Sequence, residues 1–132
     1  MKKVLIIGKH PSNEDEVSFY KQLEAMCEEY DCEIIHSPIT AAESAGFEDY
    51  ADLFGGIEEC DLVIAESSDE STAQGMQFKE IDVYSKPIII ITKRDKGNPF
   101  IVELLPTVAE VLEYDVVEDL REGLIRNIAV LE

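Results

Sequence analysis

The chain has 132 residues, 45% of them hydrophobic, which is typical of one globular domain with a sizeable core. Its 29 acidic residues outnumber 11 basic ones and give a net charge of -18. Such a surface repels the phosphates of a nucleic acid, so we expect no nucleic-acid partner. No apolar run approaches the roughly 18 residues that a membrane span needs, so we expect no membrane association.

The N-terminus and the cysteines indicate the compartment. The first three residues lead at once into an apolar run that is too short for a signal peptide. Cys27, Cys32 and Cys60 are odd in number and lack the paired spacing of zinc ligands, which favours reduced thiols. We therefore expect a cytoplasmic protein that uses neither a metal nor a cofactor.

Strand and helix patterns alternate along the chain. Short apolar runs, typical of buried parallel strands, occur at 4–7, 32–35, 61–65, 88–91 and 111–114. Helical patterns follow them, beginning after Ser12 or Asn13 and then at 49–59, 72–84, 100–105 and 117–131. This alternation predicts a single α/β domain over residues 1–132. We expect a doubly wound, flavodoxin-like or Rossmann-like sheet of five parallel strands in the order 2-1-3-4-5, with helices on both faces.

The region around residues 60–92 is the predicted centre of the sheet and of the site. It contains a strand, a helix and a second parallel strand, and ligands of such sheets bind beyond the carboxyl ends of the strands. Ser71, or alternatively Thr72, could be the N-cap of the helix. The amides exposed there could bind an anion or a hydroxyl, or the residue could be a plain cap. Glu66 just before it could accept hydrogen bonds from sugar hydroxyls, or belong to a solvated acidic loop. The acids at this point favour an uncharged sugar over a phosphate.

Three segments carry a resemblance to a known family. They are the run DLVIAE at 61–66, the pattern Ser71-x-x-x-Gly75-x-Gln77 and the run KPIIII at 86–91. Together they resemble the nucleoside 2-deoxyribosyltransferase family, including its deoxynucleoside monophosphate N-glycosidases. The likeness extends to Gly8 at the end of strand one and to Tyr20 in the first helix. It implies an enzyme that transfers or hydrolyses the 2-deoxyribosyl group of a small nucleoside or nucleotide.

The chain departs from the family pattern at the catalytic position. The resemblance implies a nucleophilic glutamate six residues after the serine, and Gln77 stands there. A neutral amide supplies neither the charge nor the nucleophilic oxygen of a carboxylate. Glu80, one helical turn further, could replace it, or could be an ordinary exposed side chain. Ala73 replaces the first glycine of the motif, and Asp52 lies within one residue of the family's orienting aspartate.

Four further residues are candidates for contacts with the ligand. Lys9 and His10 form a basic pair after strand one and could contact a phosphate or a base, or could be surface bystanders. Tyr20 could be core, rim or ligand contact. Asn98 could reach the site of a neighbouring subunit, as the resemblance implies, or could only form a turn.

Two functions of different kinds remain open. The first is an enzyme that acts on an N-glycosidic bond. The second is a catalytically silent relative that binds a nucleoside or nucleotide as a sensor or regulatory module. In both cases the resemblance implies a homo-oligomer, a dimer or larger.

Overall fold

A computed structural model describes residues 1–39, 56–68, 81–95 and 108–131. The strands are β1 (Lys2–Ile7), β2 (Cys32–His36), β3 (Leu62–Glu66), β4 (Ile88–Lys93) and β5 (Val108–Tyr114). Helix α1 (Glu14–Glu29) connects β1 to β2, and a 3-10 turn (Val117–Leu120) leads into helix α2 (Arg121–Ala129). Residues 56–59 and 81–83 are also helical. No helix in the described ranges is long and apolar enough to cross a membrane.

Within the described residues, five strands form one parallel sheet in the order β2-β1-β3-β4-β5. The predicted strand order is therefore confirmed. The central strands consist of branched apolar residues, which pack well on both faces of a pleated sheet. In β4, four consecutive isoleucines are completely buried, as a strand covered on both faces requires.

Alternating side chains of the strands build two apolar layers, one on each face of the sheet. On the first face, Val4 and Ile64 pack with α1 and with Leu124 of α2. On the second face, Val63 packs with Ile57 and Ile81, which belong to the helical residues 56–59 and 81–83. Both faces are thus covered, and this confirms the doubly wound α/β architecture.

The strands extend beyond the predicted apolar runs because polar residues at their ends also pair. Lys2 pairs with Cys32 at one edge of the sheet, and Lys93 pairs with Tyr114 at the other. Asp61 stands just before β3, where its carboxylate accepts a 2.8 Å hydrogen bond from the Lys3 amide. The predicted final helix is divided into the 3-10 turn and α2. The predicted helices at 49–59, 72–84 and 100–105 lie wholly or partly outside the described residues.

The start of α1 follows directly from its sequence. Asn13 is the N-cap, and its side-chain oxygen accepts a 2.9 Å hydrogen bond from the Glu16 amide. Three acidic residues in the first turn then interact favourably with the positive end of the helix dipole. Of the two predicted caps, the structure therefore uses Asn13. This cap fixes where the first turn of α1 meets the sheet.

Replacing Asn13 by Ala should lower the free energy of unfolding by about 1 kcal/mol, because the Glu16 amide loses its acceptor. Urea denaturation measures this change. Asn13→Ser is the matched control and should keep most of the stability, since a serine hydroxyl can accept the same bond. Equal stability of all three proteins would contradict the assignment of the cap.

Burial also controls the ionisation of groups in the two apolar layers. It raises the pKa of the Cys27 thiol to about 12 and that of the Cys60 thiol to about 11. An unfolded thiol has a pKa of about 8.5, so the unfolded chain loses these protons first. The contribution of the neutral thiols to stability is therefore fully present below about pH 8.5 and is lost as the pH rises.

The variant Cys27→Ala tests this linkage. Between about pH 9.5 and 10.5 the free energy of unfolding of the wild type should fall with pH more steeply than that of the variant. The expected difference in slope is about 1.4 kcal/mol per pH unit, which corresponds to one proton. Charge repulsion across the acidic surface is common to both proteins and therefore cancels in the difference between the two slopes. Parallel slopes would contradict the account.

Candidate functional site

A cleft of about 220 Å³ lies at the carboxyl end of the sheet. Four strand ends and the start of α1 contribute to it, because parallel strands end at the same edge. Its described lining consists of Lys9, Asp15, Glu16, Phe19, Tyr20, Glu66, Ser68, Lys93, Tyr114 and Asp115. The cleft therefore lies where ligands of this fold class bind, and it combines carboxylates, ammonium groups, hydroxyls and aromatic rings.

The Glu66 carboxylate lies at the end of the central strand and is held by its neighbours. The Ser68 amide donates to its Oε1 atom at 2.6 Å, and the Ser68 hydroxyl donates to Oε2 at 3.0 Å. The Tyr114 hydroxyl also donates to Oε2. The Ser68 hydroxyl in turn accepts a 2.8 Å hydrogen bond from the amide of Lys93. This network joins the ends of β3, β4 and β5.

Two buried tyrosines stand beside Glu66. Tyr20 is 4% exposed and Tyr114 is 3% exposed. Phe19 stacks on Tyr114 with ring centroids 4.8 Å apart, and it meets Tyr20 edge to face at 5.3 Å. Burial raises the pKa of both phenols above the ordinary value of about 10. The negative charge of Glu66 adds to this effect at Tyr20, and the hydrogen bond to Glu66 adds to it at Tyr114. Both hydroxyls therefore remain protonated at neutral pH.

Gly8 makes the approach of Tyr20 to this site sterically feasible. A Cβ atom at Gly8 would collide with the Tyr20 hydroxyl oxygen and would lie 3.2 Å from the Cβ atom of Glu66. Any larger residue at this position would therefore push the tyrosine or the end of β3 away. The absence of a side chain at Gly8 is thus a packing requirement of the cleft.

The charges around the cleft are mixed, with an excess of negative charge. Among its described lining residues, four carboxylates face the two ammonium groups of Lys9 and Lys93. The pKa of Glu16 is lowered, first by the Ser12 amide that donates to it at 2.7 Å and then by these two lysines. Such a lining suits hydrogen-bonding ligand groups better than a multiply charged phosphate. Within the described parts of the chain, no group of three or more His, Cys, Asp or Glu could hold a metal ion.

The structure brings several of the predicted site residues together. Lys9, Tyr20 and Glu66 line the cleft, and Gly8 lies against the last two. His10 is exposed and is not part of the described lining. The remaining candidates lie outside the described residues, and their roles stay predictions: Asp52, Ser71, Ala73, Gly75, Gln77, Glu80 and Asn98.

Sequence reasoning missed the three residues that complete the Glu66 network. Lys93 and Tyr114 are the last residues of β4 and β5, so the rule that ligands bind at the carboxyl ends of strands pointed to them. Ser68 lies two residues after Glu66, at a spacing that returns a side chain to the same face of a strand. None belongs to a recognisable motif, and only the arrangement of the strands shows that they meet.

Comparisons by sequence find no relative. No protein-family profile matches the chain, and no curated protein matches it either. Comparisons of the fold do find relatives. The structure of the CMP N-glycosidase of Clostridium botulinum matches with a TM-score of 0.70 and 16% identity, over 94% of this chain and 99% of that one.

Two further solved structures share the fold. The 2-deoxyribosyltransferase of Bacillus psychrosaccharolyticus has a TM-score of 0.62 and 14% identity, over 90% of each chain. A Burkholderia pseudomallei protein whose name relates it to pilus assembly has a TM-score of 0.62 and 12% identity, over 100% of this chain and 92% of that one. At such identities the likeness shows the fold alone, which can carry more than one function. The predicted resemblance to the nucleoside 2-deoxyribosyltransferase family is confirmed at the level of the fold.

Proposed function

We propose that the protein binds a nucleoside or nucleotide in the cleft at the carboxyl end of the sheet and acts on its N-glycosidic bond. The observation that carries this proposal is the Glu66 carboxylate, fixed at the end of the central strand beside Tyr20. The same fold in a CMP N-glycosidase and a 2-deoxyribosyltransferase supports it. The aromatic and hydroxyl groups of the cleft suit a ligand that consists of a planar base and a sugar.

The reaction would transfer or hydrolyse a 2-deoxyribosyl group. The bond between the anomeric carbon and the base nitrogen breaks, its electron pair leaves with the base, and positive charge develops on the sugar. The excess of carboxylates in the cleft supplies negative charge where this transition state needs it. The nucleophilic carboxylate bonds to the anomeric carbon as the base leaves and takes up a proton from solvent. An acceptor, either water or a second base, then bonds to the same carbon, loses a proton to solvent and releases the carboxylate. Glu80 is the residue that we propose as a substitute nucleophile for Gln77, with Asp52 orienting the sugar.

The second candidate function is a binding module without catalysis. The observation that favours it is Gln77, at the position where the family resemblance implies the nucleophile. An amide is a weak nucleophile and carries no negative charge, so binding would survive while turnover would not. Such a protein would report the presence of a nucleoside or nucleotide through a change in stability or assembly.

Base release by purified wild type and by Gln77→Glu distinguishes the two candidates. Incubation with a panel of nucleosides, deoxynucleosides and their monophosphates, followed by chromatography, measures the free base. We expect Gln77→Glu to release base at least about a hundredfold faster than the wild type, since it gains a carboxylate nucleophile. Slow release by the wild type identifies an enzyme, and ligand-induced thermal stabilisation without release identifies a binding module.

The matched control is Gln22→Glu, which adds the same charge at an exposed position of α1 where the glutamine donates to Ser18. It should leave both base release and binding unchanged. The proposal fails if none of these ligands raises the melting temperature and neither the wild type nor Gln77→Glu releases a base.

We also propose a homo-oligomer in the cytoplasm, with Asn98 of one subunit near the cleft of another. The resemblance to the transferase family supports the assembly, and three buried free cysteines support a reducing compartment. Light scattering at micromolar concentration should give at least twice the 14.8 kDa mass of the chain. A monomer under these conditions would contradict this part of the proposal.

A further inference from the structure

Tyr114 is a part of the cleft to which the proposed function gives no role. It ends β5, two strands away from β3, yet its hydroxyl donates to the Oε2 atom of Glu66. The phenol ring is buried and stacks on Phe19, so it has little freedom to turn away. The hydrogen bond therefore comes from a rigid side chain rather than from a mobile surface group.

Ser68 completes the same arrangement from the other side. Its amide and hydroxyl donate to the two oxygens of Glu66, while the Lys93 amide donates to its hydroxyl. The Ser68 amide and the two hydroxyls that donate to Glu66 in this network fix the orientation of its carboxylate. A carboxylate in this condition is a strong and directional acceptor for a ligand hydroxyl.

The fixed orientation has an energetic consequence for binding. A glutamate that can rotate must lose side-chain entropy when it accepts a hydrogen bond from a ligand, and this loss weakens binding. A glutamate that is already held loses less, so more of the bond strength appears as affinity. It also discriminates better, because it cannot turn to follow a ligand that lacks the hydroxyl.

We propose that Tyr114 is a positioning residue, whose hydroxyl holds Glu66 in the orientation that accepts a hydrogen bond from a hydroxyl group of the ligand's sugar. The proposal rests on the proposed function, since it assumes that a nucleoside occupies the cleft. It adds that discrimination between sugars with and without a given hydroxyl depends on a tyrosine that acts through Glu66.

The test combines removal of ligand hydroxyls with removal of the tyrosine hydroxyl. Calorimetry measures Kd for cytidine, 2′-deoxycytidine and 2′,3′-dideoxycytidine, with the corresponding adenosine series in parallel. In the wild type, at least one hydroxyl removal should weaken binding about tenfold or more, as expected for a bond to a charged acceptor. In Tyr114→Phe and in Glu66→Gln the same removal should change Kd by only about threefold or less.

For each variant we compare the Kd of the ligand that lacks a sugar hydroxyl with the Kd of the ligand that has it. This ratio separates positioning from a merely structural role. A general loosening of the cleft would weaken all three ligands alike and leave the ratio at its wild-type value. Tyr114→Phe retains the ring that stacks on Phe19, and its melting temperature shows how far the fold is retained. Tyr30→Phe is the matched control, since it removes a hydroxyl that accepts a 3.0 Å bond from Arg121 away from the cleft. It should keep the wild-type ratio.

Three outcomes would overturn the inference. If Tyr114→Phe keeps the wild-type ratio while Glu66→Gln loses it, Glu66 binds the sugar without help from Tyr114. If the ratio of Kd values also falls in Tyr30→Phe, the effect is not specific to the cleft. If none of the six nucleosides binds the wild type, the proposed function fails together with the inference, and this result is distinct from the other two.

Discussion

Parallel pairing of β3 with β1 and β4 is the constraint on which the cleft depends. The register aligns Ile7 with Ala65 and Glu66 with Ile91, so the three strands end at the same edge. Residues 62–65 are at most 1% exposed and contact apolar layers on both faces. A slip of one residue would turn Glu66 towards the opposite apolar layer, where its charge would have no partner among those side chains. Core packing therefore determines the face on which the carboxylate appears.

The chemistry of the cleft follows from where the strands end. At the carboxyl ends of β1, β3, β4 and β5 the apolar residues give way to polar ones, and these polar side chains meet because the strands are parallel. The register aligns Glu66 with Ile91 and, through it, with Leu112 of β5. Tyr114 pairs with Lys93 two residues further along, and from there its hydroxyl reaches the Glu66 carboxylate. Both phenols are protonated at neutral pH, and Tyr114 donates to the carboxylate. The result is one carboxylate of fixed orientation, Glu66, in a cleft with aromatic walls.

The sequence predicts the sheet well because buried parallel strands consist of unbroken runs of apolar residues. Unbroken apolar runs identified five strands, and the alternation with helices identified their order. The sequence predicts either Ser12 or Asn13 as the N-cap of α1, because both side chains can accept a hydrogen bond from a helix amide. Glu66 and Gly8 were placed correctly at strand ends. These are local features, in which a few adjacent residues contain the whole signal.

The contacts of the cleft could not be predicted in the same way, because they depend on register between strands that are distant in sequence. The pairing of β4 with β5 shifts between Ile88 and Ile89, and no local pattern announces such an irregularity. Whether Tyr114 reaches Glu66 or falls short depends on that shift. Lys93 likewise extends a strand that the apolar pattern ended at residue 91. The predicted preference for an uncharged sugar rests on the acidic residues of one loop. Lys9 and Lys93, at the ends of two other strands, reduce the excess of negative charge on which that preference rests.

We propose that a nucleoside binds at the carboxyl end of the sheet, against Glu66. Amide chemical shifts of the ¹⁵N-labelled protein, followed by NMR during a titration with 2′-deoxycytidine or 2′-deoxyadenosine, test it most directly. We expect saturable shifts at Gly8, Ser68 and Lys93. The amides of Lys3 and Asp61, at the opposite end of the strands, should remain unchanged. Shifts confined to the opposite end, or none at saturating nucleoside, would contradict it.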